Sequence, residues 1–410
     1  AARHPSFRIA QDNACRSASG RLGVFLCKET ASSIEEWSDV FKIGVIAGDG
    51  VGPEVVHEGL ETLKLVAGKC GFGIETIPFD LGGDRYLRTG EVLPAAEKDA
   101  VRKCDAVILG AVGTPKVPPG VLERGLLLDL RFSFRQCVNL RPIKLYPGVD
   151  TPLKHATPEK IDMVVVRENN EDLYVGAGGF TYKGMPEEVA IQTSINTRFG
   201  VDRVLKYAFE LASKRASGRV FPGLTEAEKS AGKTGRVTLV AKTNVLTFAH
   251  DLWQRAYNEM AEQYPEIATD YNHVDACCMH MIRVPERYDV IVTTNMFGDI
   301  ITDLGAVLQG GLGVAGSGNI NPDKDFPSMF EPVHGSAPDI AGKGIANPIA
   351  TCLTVGMMLD HLGEARAAEL VRRAVAKVLA DGKVKTPDLG GKDSTRAVGE
   401  AVRQAIADIS

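Results

Sequence analysis

The sequence predicts a two-lobed α/β protein whose first lobe is assembled from two separate stretches of chain. Three observations carry that expectation. Apolar, β-branched runs of strand length alternate with segments of helical period along the whole chain. At 410 residues the chain is too long for one small core. The alternation leaves one lobe near residue 137 and returns to it near 310. The expected divisions are an extension over 1–40, a first lobe over 41–136 and 311–410, and a second lobe over 137–310.

The elements follow in order. Phe41–Ala47 reads as a strand, then a tight Gly48–Glu54 turn and a helix to about Ala67, with Pro53 suited to its first position. The glycines at 48, 50 and 52 do not have the G-x-G-x-x-G spacing, so a standard Rossmann fold is not expected. Strands are expected at 73–79, 105–110, 139–146, 162–167, 189–196, 236–244 and 267–274. Helices are expected at 94–103, 120–134, 197–214, 246–264, 275–283, 348–362, 365–380 and 394–409. The polar, glycine-bearing segment 217–235 reads as an inserted surface loop, 310–318 as a glycine-rich segment and 330–347 as a long loop.

Composition narrows the function classes. Hydrophobic content of 44% and charged content of 24% are ordinary for a soluble globular protein. A net charge of −5 without a basic block argues against a nucleic-acid binder and carries no membrane-surface signal. No apolar run approaches the roughly 20 residues that cross a bilayer. Cys15, Cys27, Cys70, Cys104, Cys137, Cys277, Cys278 and Cys352 are scattered without a C-x-x-C pair, which suits reduced thiols in a cytoplasmic protein. Residues 1–40 carry Arg3, Arg8, Arg16 and Arg21 among Ser and Ala. They read as a transit-like leader or as upstream sequence, poorly ordered and non-catalytic, so organellar import stays open beside the cytoplasmic expectation.

The chemistry concentrates around Asp289–Asp303. Its first half is a buried strand and its second half, from Gly298, reads as a helix start. Asp299 and Asp303 are four apart and share a helix face. Carboxylates at the carboxyl end of a strand are placed to hold a hard cation, Mg²⁺ or Mn²⁺. The alternative is a capped helix with Asp303 on a solvated face.

Arg131, Arg135, Arg141 and Arg167 are candidates for carboxylate binding. Arg141 and Arg167 end apolar strands, where a surface salt bridge is the less comfortable reading. Leu127 and Leu128 precede Arg131 by four and three residues and would place an apolar group beside it, or belong to the core. Tyr174 and Lys242 are candidate proton-transfer groups. In the segment 331–348, glycine and small residues allow close approach to a ligand, and Asp339 suits a ribose diol rather than a 2′-phosphate.

Gly48–Glu54, Asn139–Pro142, Val166–Asn169, Lys242–Asn244, Gly298–Asp303 and Glu331–Pro348, taken together and in order, are similar to the motifs of the isocitrate/isopropylmalate (β-decarboxylating) dehydrogenase family. The resemblance runs from about Phe41 to the end. It implies that family's fold, with the first lobe binding cofactor and the second binding substrate and metal and forming the dimer. It further implies Arg131, Arg141 and Arg167 as malate-binding arginines, Tyr174 as proton donor and Lys242 as general base. Asp275, Asp299 and Asp303 match the metal carboxylates, Asp275 also touching substrate. His334, Gly335, Ser336, Ala337, Asp339 and Asn347 match the cofactor loop. NAD is the implied cofactor. Lys242 and Asp275 would come from the other subunit of a homodimer.

Pro119–Leu128 and Phe330–Pro348 look most like the isopropylmalate branch. The expected reaction is oxidative decarboxylation of (2R,3S)-3-isopropylmalate to 4-methyl-2-oxopentanoate, in leucine biosynthesis. The rivals are a sibling enzyme for D-malate, tartrate or homoisocitrate and, ranked low, a non-catalytic regulatory subunit. Two features depart from the family pattern: Ser217–Gly235 is longer than usual, and Arg135 has no counterpart among the ligands.

Overall fold

The computed structural model describes residues 40–409. The leader reading of 1–40, with Cys15 and Cys27, falls almost wholly outside the described residues.

The strands are β1 (Val40–Gly48), β2 (Gly73–Pro78), β3 (Ala106–Ala111), β4 (Val138–Lys144), β5 (Asp162–Glu168), β6 (Gly178–Thr181) and β7 (Val189–Gln192). They continue with β8 (Gly235–Ala241), β9 (Ile267–His273), β10 (Val290–Thr293), β11 (Gly316–Ile320) and β12 (Ser328–Pro332). The helices are α1 (Gly52–Cys70), α2 (Gly83–Thr89), α3 (Ala95–Val101), α4 (Asp129–Ser133), α5 (Arg198–Ala216) and α6 (Glu226–Ser230). After them come α7 (Ala249–Ala261), α8 (Val274–Arg283), α9 (Asn295–Leu308), α10 (Ile349–Leu362), α11 (Ala365–Asp381) and α12 (Thr395–Asp408).

Ten strands form one mixed sheet in the order β2-β1-β3-β12-β11-β4-β5-β10-β8-β9. β2, β1, β3 and β12 are mutually parallel, as are β5, β10, β8 and β9. The two blocks run in opposite directions, because β11 and β4 are inserted between them through three antiparallel pairings. That reversal departs from a doubly wound Rossmann sheet. β3, β8 and β10 are buried at every residue, as strands covered on both faces must be.

The two faces of the sheet differ. Alternate residues point to opposite faces. Phe330, Ile320, Val138 and Val166 point into one large core shared with α1, α5, α7 and α10–α12. The opposite face carries two smaller cores. One lies around Ile46, Leu109, Leu126, Phe134 and Met329, the other around Ile143, Val165, Ile291 and Ile301. Between them, the residues that alternation places on this face are Glu331, Asn319, Asn139, Arg141 and Arg167. All but the partly buried Glu331 are buried.

Some elements differ from the sequence reading. The expected helix over 120–134 is a π-helical turn, Glu123–Leu128, followed by α4. The i, i+3/i+4 spacing used for Leu127 and Leu128 therefore does not apply as on an α-helix. The segment 217–235 is more than a surface loop. It contains α6 with a capping box at Thr225 and Glu228, and it buries Phe221 and Leu224 against Ala268. The strand expected over 189–196 is half of an exposed hairpin, β6–β7. The glycine-rich 310–318 segment and the loop from 330 contribute β11 and β12. A Cβ on Gly318 would stand 3.0 Å from the Phe330 ring, so glycine lets these strands pack closely.

Candidate active site

The polar gap is one continuous network. Asn319 donates to Glu331 at 2.8 Å, and Asn139 donates to Asn319 at 3.0 Å. Arg141 donates through Nε to Asn139 at 2.7 Å and through Nη1 to the Thr302 hydroxyl at 2.7 Å. From the other side, Arg131 on α4 donates to Glu331 at 3.0 Å. Arg131, Arg141 and Arg167 are thus brought together on one face, although they arrive on α4, β4 and β5.

Helix α9 closes the gap. It begins at Asn295, three residues before the expected start, which puts Gly298 and Asp299 at the end of the first turn and into the second rather than at the N-terminus. The shift matters because Asn295 Oδ1 receives Arg167 Nε at 3.0 Å and Nη2 at 2.7 Å. Arg167 Nη1 pairs with Asp299. The arginine stem lies across Gly298, where a Cβ would come within 2.6 Å of the Arg167 Cβ, so glycine is required there.

Asp299 is the hub. It receives Arg167, stands 3.6 Å from Arg141 and accepts the Tyr174 hydroxyl at 2.7 Å. Burial pushes its pKa up, but Arg167, the Tyr174 hydrogen bond and Arg141 outweigh burial and hold it below the ordinary carboxylate value. The same bond acts oppositely on the phenol: burial, then Asp299, raise the Tyr174 pKa, which keeps the proton on Tyr174 at neutral pH. Burial and neighbouring positive charge lower Arg167, and burial lowers Arg141. These groups are crowded at an electrostatic cost, a mark of functional sites.

Asp303 follows Asp299 by one turn, is 71% exposed and, among the described residues, has Arg141 as its one charged partner, at 3.9 Å. Two carboxylates on one helix face offer the oxygen-only donor set of a hard cation, so they fit part of a Mg²⁺ or Mn²⁺ shell. Asp275 is not with them. It sits on α8 and accepts Lys242 Nζ at 2.8 Å. No group of three His, Cys, Asp or Glu able to hold a metal occurs among the described residues. Leu127 and Leu128 are partly buried, and Leu126 is fully buried in the neighbouring core.

Arg135 does not join this cluster. It adopts φ 49°, pairs with Asp325 at 3.2 Å and stacks 5.6 Å from the Phe326 ring. A second substrate carboxylate is therefore not expected on it.

The cofactor-loop residues frame a separate cavity of about 400 Å³, lined by His334, Ala337, Asn347 and apolar side chains. His334 Nε2 is buried without a partner, an orphan that a bound polar molecule would satisfy. Asn347 donates to Asp388 at 2.9 Å and caps α10 through Ile349 N. Ser336 contributes its carbonyl to Val51 N at 2.9 Å, locking the loop to the Gly48–Glu54 turn. Gly335 and Asp339 are exposed and stand outside the lining. The cavity's apolar wall with a few fixed polar groups suits one moiety of a dinucleotide.

Sequence reasoning missed Asn295, Asn319 and Asp388. Asp388 had a signal in Thr386-Pro-Asp-Leu-Gly390, a turn pattern between two helices. Asn319 had none, since only the strand register places it beside Glu331.

A mixed α/β sheet with an arginine–carboxylate cluster and a separate, largely apolar cavity is the architecture of an enzyme acting on small acids. Residues 42–402 match the model of the isocitrate/isopropylmalate dehydrogenase family, and the chain belongs to that family. It is 53% identical over 367 residues to 3-isopropylmalate dehydrogenase of Thermobifida fusca, covering 90% of this chain and 98% of that one. It is 50% identical to the 3-isopropylmalate dehydrogenase of Streptomyces coelicolor, covering 89% and 98%. Among solved structures, the isocitrate dehydrogenase from Methylococcus capsulatus superposes with a TM-score of 0.76 at 36% identity, covering 89% of this chain and 99% of that one.

Proposed function

We propose that the chain catalyses the NAD-dependent oxidative decarboxylation of (2R,3S)-3-isopropylmalate to 4-methyl-2-oxopentanoate, in leucine biosynthesis. The observation that carries this reading is Asp299, gathering Tyr174, Arg167 and Arg141 with Asp303 one turn away. The names of the curated relatives support the choice of acid.

Arg131, Arg141 and Arg167 bind the substrate carboxylates and orient C2 and C3. Asp299 and Asp303, with Asp275 of a second copy, would hold Mg²⁺ or Mn²⁺, and the 334–347 cavity would hold NAD. When bound, the cation acidifies the substrate hydroxyl and NAD⁺ accepts the hydride of C2. Lys242 of the second copy takes the hydroxyl proton. The carboxylate on C3 departs as carbon dioxide, leaving its bonding pair with C3. Tyr174 Oη gives its proton to C3. Leu127 and Leu128 line the side on which the isopropyl group lies, and Asp339 favours NAD over a 2′-phosphorylated cofactor.

The placement of Lys242 and Asp275, which pair with each other and make no bond to Asp299 or Tyr174 of their own chain, supports the reading of a homodimer. Apolar side chains stand exposed on α8 (Met279, Ile282) and α9 (Met296, Ile300, Val307), and Phe248 is 92% exposed. A second copy would cover them. A cytoplasmic setting accords with the free cysteines 70, 104, 137, 277, 278 and 352.

The test is turnover of purified protein with 3-isopropylmalate, D-malate, tartrate and homoisocitrate, each with NAD⁺ or NADP⁺ and Mg²⁺ or Mn²⁺. The expected outcome is a clear preference for 3-isopropylmalate with NAD⁺, giving one NADH per 4-methyl-2-oxopentanoate. Preference for D-malate would overturn the substrate.

A further inference from the structure

Asp172 is buried and has φ 65° and ψ −143°, a region nearly reserved for glycine. Such a conformation persists only where the surroundings over-determine it. Here four hydrogen bonds do so. Its N–H donates to Ile195 O at 2.7 Å and its carbonyl accepts Ile195 N at 3.3 Å. Its carboxylate accepts the Ser194 hydroxyl at 2.6 Å on Oδ1 and Met296 N at 3.0 Å on Oδ2.

The last bond is informative. Met296 N belongs to the first turn of α9 and has no partner within that helix. Asp172 therefore fastens its own segment to the start of the helix that carries Asp299. Tyr174 lies two residues further on, in the 3₁₀ turn Leu173–Val175, and its hydroxyl reaches Asp299. Gln192 Nε2 holds Leu173 O at 2.7 Å, and Thr193 N holds Ala177 O at 2.8 Å, so the base of the β6–β7 hairpin brackets the tyrosine. Asn295 Nδ2 also donates to Glu171 O, at 3.3 Å.

We propose that Asp172 is a positioning residue for the proton donor. Its strained backbone turns Tyr174 back toward α9, and its carboxylate sets the distance between Tyr174 and Asp299. The inference rests on the reading of Tyr174 as the donor to C3. Weakening the anchors should misplace the proton without removing the acid.

The experiment runs the reaction in D₂O and reads the configuration at C3 of the product, trapped early by reduction. C3 becomes a CHD centre, and a fixed donor delivers the deuteron to one face. The wild type should give a single configuration. Asp172→Gly relieves the strain and removes both side-chain anchors. It should give mixed configurations and slow product completion about tenfold to a hundredfold, with KM little changed. Asp172→Asn keeps an acceptor for Met296 N and a hydrogen bond to Ser194, and should restore the single configuration. Thermal midpoints of the variants are compared with wild type. Should Asp172→Gly fail to fold, Ser194→Ala removes the Oδ1 anchor alone and should give partial mixing. A single configuration from folded Asp172→Gly, or from Ser194→Ala in its place, overturns the positioning role while leaving the proposed reaction standing. A wild type that forms neither NADH nor 4-methyl-2-oxopentanoate overturns the reaction, and the positioning role with it.

Discussion

The arginine–carboxylate gap and the 334–347 cavity are built on opposite principles. In the gap, most polar groups already have partners inside the chain: Arg141 with Asn139 and Thr302, Arg167 with Asn295 and Asp299, Arg131 with Glu331. The cavity is mostly apolar, with a few polar groups and an unpartnered His334 Nε2. The gap is a preorganised electrostatic device, and the cavity is a shape. Deleting one polar atom should cost far more in the first than in the second.

The largest effect belongs to Asp299→Asn. It should reduce kcat/KM on the order of a thousandfold, because one residue serves Arg167, Arg141 and Tyr174. Steady-state kinetics checks this, and a loss under tenfold would dissolve the contrast between the regions.

Tyr174→Phe comes next. It should slow product completion about a hundredfold while a single turnover still forms NADH. Unchanged steady-state turnover of isopropylmalate would remove Tyr174 from the chemistry.

On the cofactor loop, outside the cavity lining, Asp339→Lys should act on preference rather than on rate. The ratio of kcat/KM for NADP⁺ to that for NAD⁺ is expected to rise by about tenfold. An unmoved ratio would show that Asp339, exposed in this structure, does not meet the ribose.

The smallest effect concerns stability at the end of β5, beside Arg167 in the chain. Burial pushes the Glu168 carboxyl up to about 7, against hydrogen bonds from Asn170 N and Glu171 N. Its folded value lies above the ordinary carboxylate value of about 4.3, so the folded state holds the proton longer. Stability must then fall as pH rises from about 4 to about 7. Glu168→Gln should flatten that limb in thermal unfolding and be at least as stable as wild type at pH 8.

The contrast also explains what the sequence made legible. Arg141 and Arg167 stood out because a charge ending an apolar run has to be explained, and they do converge. The strands that carry them are near their expected places. Asn295 is hidden because the apolar run through Thr293 masks the helix start at Thr294, a favoured cap residue whose side chain makes no cap bond here. β11 and β12 were hidden because glycine and proline suppress strand patterning where the backbone must pack closely. The π-helical turn before Arg131 and the positive φ of Asp172 depend on tertiary contacts and leave no periodic trace. Thr386–Gly390 announces a turn at Asp388, but not that the turn joins the cavity 41 residues beyond Asn347.

Sharing of the proposed site between two copies means that one supplies Tyr174, Asp299 and Asp303 while the other supplies Lys242 and Asp275. Its most direct test mixes two inactive variants, Asp299→Asn and Lys242→Ala, after reversible dissociation. In a mixed dimer, one of the two sites draws Asp299 from one copy and Lys242 from the other, and both are intact. Random pairing should therefore restore about a quarter of wild-type isopropylmalate turnover. No recovery, with mixed dimers shown to form, would contradict a shared site.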